Sequence, residues 1–224
     1  DLYLHEWDER YHALVAKHLI DHPLLPRLYE HPLLPFDYKN WTANHIWVHK
    51  QPLALWLMAL SLKIFGINEL AVRLPSILLS TAGIYLTYRL ALYFCTGRRP
   101  ALIAAFLHSI HGLIIELAAG RAPTEHIDSV FIFLVELGAF FAVLFFTKKK
   151  ERRLWYALLT SLAMGLAILT KWLPALIVLP VWLALALHER LRWRTIAGYA
   201  VLMLGAAVLV SLPWQLSILA ACPR

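Results

Sequence analysis

Acidic and basic side chains stand at a few separated points of a largely apolar chain. The acidic pair Asp8-Glu9 lies near the start, and Lys50 follows in a polar stretch. Asp128 opens one apolar segment and Lys171 closes another. A carboxylate can deprotonate an acceptor hydroxyl, and a lysine can hold a departing phosphate. These residue types therefore suit group transfer from a phosphorylated lipid at a membrane surface.

Each of these residues also has a purely structural interpretation. Asp8-Glu9 could cap the helix that follows, and Asp128 gains from the dipole at a helix N-terminus. Lys171 could extend to the membrane interface, and Lys50 could be a solvated loop residue. Ionisable residues at membrane depth are costly, however, which makes them functional candidates by default. Both interpretations stay open on residue types alone.

The composition indicates a membrane protein. Of the 224 residues, 60% are hydrophobic and only 16% are charged. The mean hydropathy is +0.62. Soluble domains contain about 45–50% apolar and 25% charged residues, so a soluble domain and a disordered chain are both excluded. Two cysteines cannot form a disulfide scaffold, and no zinc-ligand spacing occurs. The net charge of +7 lies in loops between apolar segments, which argues against a nucleic-acid partner.

Six apolar stretches follow Arg73. Each has close to the roughly 20 residues that a helix needs to cross the hydrocarbon layer. A segment in lipid must satisfy its own backbone hydrogen bonds, so these stretches predict helices and an all-α, polytopic transmembrane bundle. The stretches lie at about residues 74–94, 101–119, 128–147, 154–170, 173–187 and 195–213.

The loops between these stretches predict the orientation of the bundle. Alternate loops around 98–99, 148–153 and 190–194 hold ten Lys and Arg residues, whereas the other loops hold only Arg121 and Lys171. Cytoplasmic loops carry the excess of Lys and Arg. Asp128, Lys171 and the segment 1–73 are therefore expected together on the extracytoplasmic face.

The first 73 residues form a separate region in this interpretation. They are predicted to be an outer loop with juxtamembrane helices, and residues 74–224 to be the transmembrane bundle of about six spans. The apolar run from Leu53 to Phe65 is too short to span comfortably and predicts an interfacial helix. Asn68 is expected to cap the next helix. Because the chain starts at Asp1 without a signal peptide, it is expected to be a fragment that follows an N-terminal membrane helix.

Several short strings in these segments resemble one family. Residues 49–76 contain HKQP and FGINELAVRLPS, which resemble a conserved block of polyprenyl-phosphate-sugar-dependent glycosyltransferases. This family-39-like group, with a C-type fold, includes aminoarabinose transferases and protein O-mannosyltransferases. The segments 8–11 and 121–128 resemble its two acidic motifs, and 169–171 and 212–214 resemble later motifs. The chain departs from the family pattern at Trp7, where proline is usual, at Gln51, which follows the lysine, and at Trp172, where glycine is frequent.

The resemblance implies an inverting transfer of a sugar from a polyprenyl- or dolichyl-phosphate donor, with a carboxylate base. It implies membrane lipids and the lipid-linked donor as partners, no nucleic acid and an unidentified acceptor. A bacterial inner membrane is favoured over the endoplasmic reticulum. No residue is assigned to a metal or other cofactor, and a requirement for a divalent metal stays open. The implied catalytic residues are Asp8, Glu9 and Asp128, and the implied substrate-binding residues are Lys50, Arg73, Arg121, His126 and Lys171.

Two other functional classes remain to be weighed. A structural or accessory membrane subunit could keep this fold without the chemistry. A transporter places its charges near the membrane midplane in broken helices, whereas here they lie at helix ends on one face. The transporter is therefore the least favoured class.

Overall fold

The computed structural model describes residues 3–33, 35, 37, 39–40, 43–44, 46–121 and 127–221. Within these ranges every regular element is a helix, which confirms the predicted all-α bundle. Two 3-10 helices, Lys150–Arg152 and Leu173–Ile177, precede the seventh and eighth α-helices. The α-helices of these ranges are α1 (Asp8–Leu19), α2 (Pro52–Phe65), α3 (Glu69–Phe94), α4 (Arg98–Ser109), α5 (Gly112–Ala118), α6 (Asp128–Thr147), α7 (Arg153–Lys171), α8 (Val178–His188) and α9 (Trp193–Ala221).

Four helices in the described residues are long and apolar enough to cross a membrane, namely α3, α6, α9 and α7 with its preceding 3-10 turn. A fifth crossing is formed if α4 and α5, which are bent by 52° at their junction, count as one segment. The stretch at 173–187 is helical but shorter, as is α2. The chain is therefore an integral membrane protein, and the count of six spans stays a prediction.

The segment predicted at 101–119 is two helices. Helix α4 ends at Ser109 and α5 begins at Gly112. The hydroxyl of Ser109 donates a hydrogen bond to the carbonyl of Phe106 at 2.7 Å, and such local bonds compete with the helical pattern. A broken helix is tolerated at membrane depth where neighbouring protein surrounds it. Here α3 and α6 pack against this pair of helices.

Helix α3 leads the chain from the outer region into the bundle. As predicted, Asn68 caps it: the side-chain oxygen accepts a hydrogen bond from the Ala71 backbone N–H at 2.9 Å. The helix then continues through Pro75 to Phe94. The proposed division after residue 73 thus falls inside a helix, and the two-region organisation stays a prediction.

The last helix is longer than the sequence predicts. The predicted stretch ends at about residue 213, next to the Leu212-Pro213-Trp214 string, whereas α9 continues through Pro213 to Ala221. Proline removes one backbone donor, and neighbouring groups in membrane helices can compensate for that loss. The extra turns bring the end of α9 to α2.

Two clusters of buried residues hold the helices together. The first lies between α1, α2, α6 and α7 and includes Trp47, Met58 and Ile127. The second lies between α6, α7, α8 and α9 and includes Trp182 and Met203. The first cluster packs beneath the charged residues at one end of the bundle. It therefore fixes the positions of the helix ends that carry them.

A polar cluster joins three helices inside the bundle. The hydroxyl of Thr87 on α3 lies 2.7 Å from Nδ1 of His108 on α4. It also donates to the carboxylate of Glu136 on α6 at 3.2 Å. A Cβ on Gly83 would lie 3.0 Å from the second Glu136 oxygen, so glycine provides the space for this carboxylate. The cluster connects α4 to α3 and α6 close to the break before α5.

Candidate active site

Asp8 and Lys50 form an ion pair at the starts of two helices. Asp8 is the first residue of α1, and Lys50 lies two residues before α2. Their charged atoms, Nζ of Lys50 and Oδ2 of Asp8, are 3.8 Å apart. The Asp8 side chain is 25% exposed and that of Lys50 is 14% exposed. The pair is thus accessible from outside, and a carboxylate at this position interacts favourably with the dipole of α1.

A second pair lies behind the first and is buried. Nε of Arg73 donates to Oε1 of Glu9 at 2.6 Å, and the exposed fractions of the two side chains are only 10% and 2%. Nη2 of Arg73 also donates to Oε2 of Glu9 at 3.1 Å and to the Tyr3 carbonyl at 2.9 Å. The His5 backbone N–H donates to the same Glu9 oxygen at 2.6 Å. This network anchors the polypeptide that leads to Asp8.

Asp128 and Lys171 form the third pair. Asp128 begins α6 and Lys171 ends α7, and these two helices pack against each other. Nζ of Lys171 donates to both Asp128 oxygens, at 2.8 and 3.0 Å. The prediction that these two residues share one end of the bundle is therefore confirmed. The next residue, Trp172, has a positive φ of 59°, which directs the chain sharply away from α7.

Two further predicted residues belong to the segment between α5 and α6. Arg121 has an exposed side chain, and its backbone N–H donates to the Glu116 carbonyl at 2.8 Å. Its neighbour Gly120 packs directly against the Glu9 carboxylate and Arg73. This contact places the start of the segment beside the buried pair. His126 lies outside the described residues.

Gly120 has a role that the sequence analysis missed. Its φ is +69°, and a Cβ at this position would collide with the Glu9 carboxylate. A positive φ favours glycine at this position. The second requirement for glycine, the lack of space for a Cβ, depends on a side chain 111 positions earlier and could not be predicted from local sequence. The glycine therefore permits the buried pair to form.

We expect Gly120→Ala to lower the thermal stability of the full-length protein by more than Gly97→Ala. Gly97 also has a positive φ, of +97°, but a Cβ added there would meet no atom within 4 Å. Both variants incur backbone strain, and only Gly120→Ala also displaces Glu9. Thermal unfolding in detergent would measure the difference. Equal melting temperatures would contradict the close packing described for Gly120.

A glutamine pair connects α2 to the end of α9. Nε2 of Gln215 donates to Oε1 of Gln51 at 2.9 Å. Next to it, the rings of Trp56 and Trp214 meet edge to face with centroids 5.3 Å apart. The sequence analysis missed Gln215, although a lone amide in an apolar helix could have indicated it. These contacts hold the N-terminal end of α2, next to Lys50.

An apolar groove starts one helical turn from Lys50. It has a volume of about 380 Å³ and lies between α2, α3, α6 and α7. Leu53, Leu57, Leu134 and Leu166 are among its lining residues. The groove therefore extends from the charged end of the bundle along its apolar side. The described residues contain no group of three or more His, Cys, Asp or Glu side chains that could hold a metal ion.

Comparison with known proteins identifies relatives. The family model described as dolichyl-phosphate-mannose-protein mannosyltransferase matches residues 49–214. The undecaprenyl phosphate-alpha-4-amino-4-deoxy-L-arabinose arabinosyl transferase of Pseudomonas aeruginosa (strain LESB58) is 34% identical over 190 residues, which cover 80% of this chain and 33% of the relative. The Pseudomonas fluorescens (strain Pf0-1) protein of the same name, numbered 1, is 33% identical over 188 residues. The match covers 80% of this chain and 32% of that relative. The chain thus spans about a third of the length of these curated relatives.

The solved structures show the fold. ArnT from Cupriavidus metallidurans bound to undecaprenyl phosphate has a TM-score of 0.70 and 21% identity, and the match covers 99% of this chain and 38% of that one. Its apo state has a TM-score of 0.68, with coverages of 96% and 38%. The likeness confirms the expected C-type bundle. With the family model matching most of its length, the chain belongs to the dolichyl-phosphate-mannose-protein mannosyltransferase family.

Proposed function

We propose that this chain carries the reacting residues of a membrane glycosyltransferase. The enzyme would move a sugar from a polyprenyl- or dolichyl-phosphate donor to an acceptor on the extracytoplasmic face, with inversion at the sugar. A bacterial inner membrane is the expected location, since the curated relatives are bacterial. The observation that carries the proposal is the Asp8–Lys50 pair, which lies where an apolar groove begins.

The two members of this pair have complementary roles. The acceptor oxygen attacks the anomeric carbon, the bond from that carbon to the phosphate oxygen breaks, and the bonding electrons leave with the phosphate. Asp8 takes the proton of the acceptor hydroxyl as the general base. Lys50 binds the phosphate and stabilises the charge that it gains. The transition state has oxocarbenium character, as glycoside chemistry generally does.

Inversion requires the base and the leaving phosphate to lie on opposite sides of the sugar. In the structure, Nζ of Lys50 and Oδ2 of Asp8 are only 3.8 Å apart. A bound donor would supply its phosphate to Lys50 in place of Asp8. The carboxylate would then be available to the acceptor, so that donor binding would activate the base.

Glu9 and Arg73 have a different role in this proposal from the one that the resemblance implies. The Arg73 guanidinium is engaged by Glu9 and the Tyr3 carbonyl, and Glu9 is 2% exposed. We therefore propose that both position Asp8 rather than contact substrate. Asp128 would orient the acceptor and Lys171 would hold Asp128. Arg121 and His126 stay proposed substrate-binding residues.

The apolar groove suits the lipid part of the donor. Its lining is hydrocarbon, and Leu53 at its start is three residues from Lys50. A polyprenyl chain that lies there would leave its phosphate near the lysine. Burial of isoprenoid carbons stabilises binding in proportion to the apolar area removed from water.

The proposal is tested by transfer from radiolabelled lipid-linked sugars. Full-length protein in membranes would be incubated with a panel of polyprenyl-phosphate sugars, including 4-amino-4-deoxy-L-arabinose and mannose. Label in an acceptor fraction that depends on the protein would support the function and identify the donor. Folded protein that transfers no sugar would contradict it and would be the result expected of a non-catalytic subunit.

Lys50→Met should weaken donor binding. Loss of the ammonium removes a charged contact to the phosphate, and we expect the KM for donor to rise by about 10–100-fold. Lys63→Met is the matched control, because Lys63 is an exposed lysine near the other end of α2. Donor-dependent initial rates would measure the effect. If Lys50→Met and Lys63→Met have the same KM for the donor, the proposed role of Lys50 is contradicted.

A further inference from the structure

A surface depression lies beside the first turns of α1. It has a volume of about 350 Å³ and is lined by Glu6, Trp7, Arg10, Tyr11 and Leu14. Trp7 and Tyr11 both lie at the first turn of α1, where the Tyr11 backbone N–H donates to the Trp7 carbonyl at 3.3 Å. The depression combines two aromatic rings with a carboxylate and a guanidinium. The proposed reaction leaves these five side chains without a role.

Trp7 has an unusual backbone conformation for a residue with a side chain. Its φ is 68° and its ψ is −125°, a region that essentially only glycine occupies without strain. The indole is 66% exposed, so burial of the ring does not explain the conformation. Strained conformations persist only where the surrounding structure enforces them, and they are concentrated at functional sites.

The buried pair behind Asp8 enforces this conformation. Arg73 binds the Tyr3 carbonyl on one side of Trp7, and Glu9 on the other side binds both Arg73 and the His5 N–H. Residues 3–9 are thereby closed into a tight loop that is anchored at both ends. Trp7 occupies the turn of this loop, and its ring is directed outwards. The network that positions Asp8 thus also presents the indole next to it.

A sugar ring is the ligand whose chemistry fits this depression. One face of a pyranose is lined with C–H groups, which pack against the flat, electron-rich face of an indole or a phenol. Its hydroxyls can donate to a carboxylate and accept from a guanidinium. Glu6 and Arg10 provide these two groups beside the rings. A site of several hundred cubic ångströms is large enough for one sugar residue.

We propose that the depression around Trp7 is a sugar-binding subsite in which the indole stacks against a sugar ring. The inference rests on the proposed function, because it assigns the subsite to the donor sugar or to a sugar of the acceptor. Both sources present the same ring chemistry. Trp7 immediately precedes Asp8 in the sequence, so the subsite and the proposed base belong to the same end of α1.

Binding can be measured without turnover. Saturation-transfer difference NMR of methyl α-D-mannopyranoside and of 4-amino-4-deoxy-L-arabinose with full-length protein in nanodiscs should show contact at ring C–H groups. We expect Trp7→Ala and Trp7→Gly to lose this signal and Trp7→Phe to keep most of it. Trp193→Ala is the matched control, because Trp193 is 72% exposed at the other end of the bundle. Equal signals from wild type and Trp7→Ala would overturn the proposal.

Kinetics identify which sugar is bound. Trp7→Ala should raise the KM for one substrate by about ten-fold and change kcat by less than about two-fold. An effect on donor KM assigns the subsite to the donor, and an effect on acceptor KM assigns it to the acceptor. Trp7→Gly relieves the strained backbone, so we expect a higher melting temperature together with weaker sugar binding. A more stable Trp7→Gly protein with unchanged KM values and NMR signal would show that the indole is only an interfacial anchor and would overturn the proposal.

The subsite and the proposed function can fail separately. If wild type transfers sugar and Trp7→Ala matches it in both KM values and NMR signal, the subsite is wrong and the glycosyltransferase stands. If wild type transfers no sugar but shows an NMR signal that Trp7→Ala loses, the transfer reaction is wrong and the sugar-binding site stands.

Discussion

Asp8→Asn should lower sugar transfer by full-length protein by about 10²–10⁴-fold, the usual contribution of a general base. Asparagine has nearly the same shape as aspartate, but its amide does not accept a proton at neutral pH. Asp8 lies in the first turn of α1 and is only 25% exposed, so its position should persist in the variant. The loss should appear in kcat when both substrates are saturating.

The donor KM separates this effect from a general disturbance of the site. Asp8→Asn removes the carboxylate that competes with the donor phosphate for Lys50, so donor KM should stay equal or fall. Asp21→Asn, at an exposed carboxylate just beyond α1, is the matched control and should transfer at the wild-type rate. A folded Asp8→Asn protein with the kcat of this control would show that another group is the base.

Arg73→Met should destabilise the protein by about 3–5 kcal/mol, because it leaves the buried Glu9 carboxylate without its cation. The exposed fractions of the two side chains are 10% for Arg73 and 2% for Glu9, so water can do little to solvate the orphaned charge. The melting temperature should fall accordingly. Thermal unfolding of the full-length protein in detergent would measure it.

The double variant Arg73→Met/Glu9→Leu provides the decisive comparison. Removing both charges leaves no buried ion, so the double variant should be more stable than Arg73→Met alone. The melting temperature of Arg73→Lys should lie between those of wild type and Arg73→Met, since lysine keeps the charge but cannot make the bidentate contact with Glu9. If the double variant melts no higher than Arg73→Met, the destabilisation would come from lost packing and not from an uncompensated charge.

Segment hydropathy predicts the elements of this fold well where a helix is continuous. Helix α6 coincides with the predicted stretch 128–147, and α7 begins and ends within one residue of its prediction. The break between α4 and α5 was not predicted, because averaged hydropathy over a segment does not register a local change in backbone direction. His108, Ser109 and His111 at the break were visible as polar interruptions.

The sequence could predict that Asp128 and Lys171 lie at the same end of the bundle. It could not predict which charged residues pair with each other. Alternation of basic and non-basic loops placed Asp128 and Lys171 on one face, and the structure joins them directly. Loop charge carries no information on which carboxylate meets which cation. The buried Glu9–Arg73 pair joins residues 64 positions apart, and it depends on how α1 and α3 both pack against α2.

The backbone conformation of Trp7 could not be predicted from the sequence. Tryptophan has no preference for a positive φ, and its local neighbours give no turn signal. The loop that contains Trp7 is closed by a hydrogen bond from Arg73 on α3 to the Tyr3 carbonyl and by one from the His5 N–H to Glu9. A pattern of residue types therefore predicts the charged groups of the candidate site, whereas its loop geometry arises only in the assembled bundle.

The contact between Gln51 and Gln215 can form only late in biosynthesis. These residues are 164 positions apart, so at usual translation rates α2 leaves the ribosome on the order of ten seconds before the end of α9. Until then the N-terminal end of α2 lacks both Gln215 and the Trp214 ring that packs against Trp56. The N-terminal end of α2, next to Lys50, therefore gains these contacts only after α9 has been synthesised.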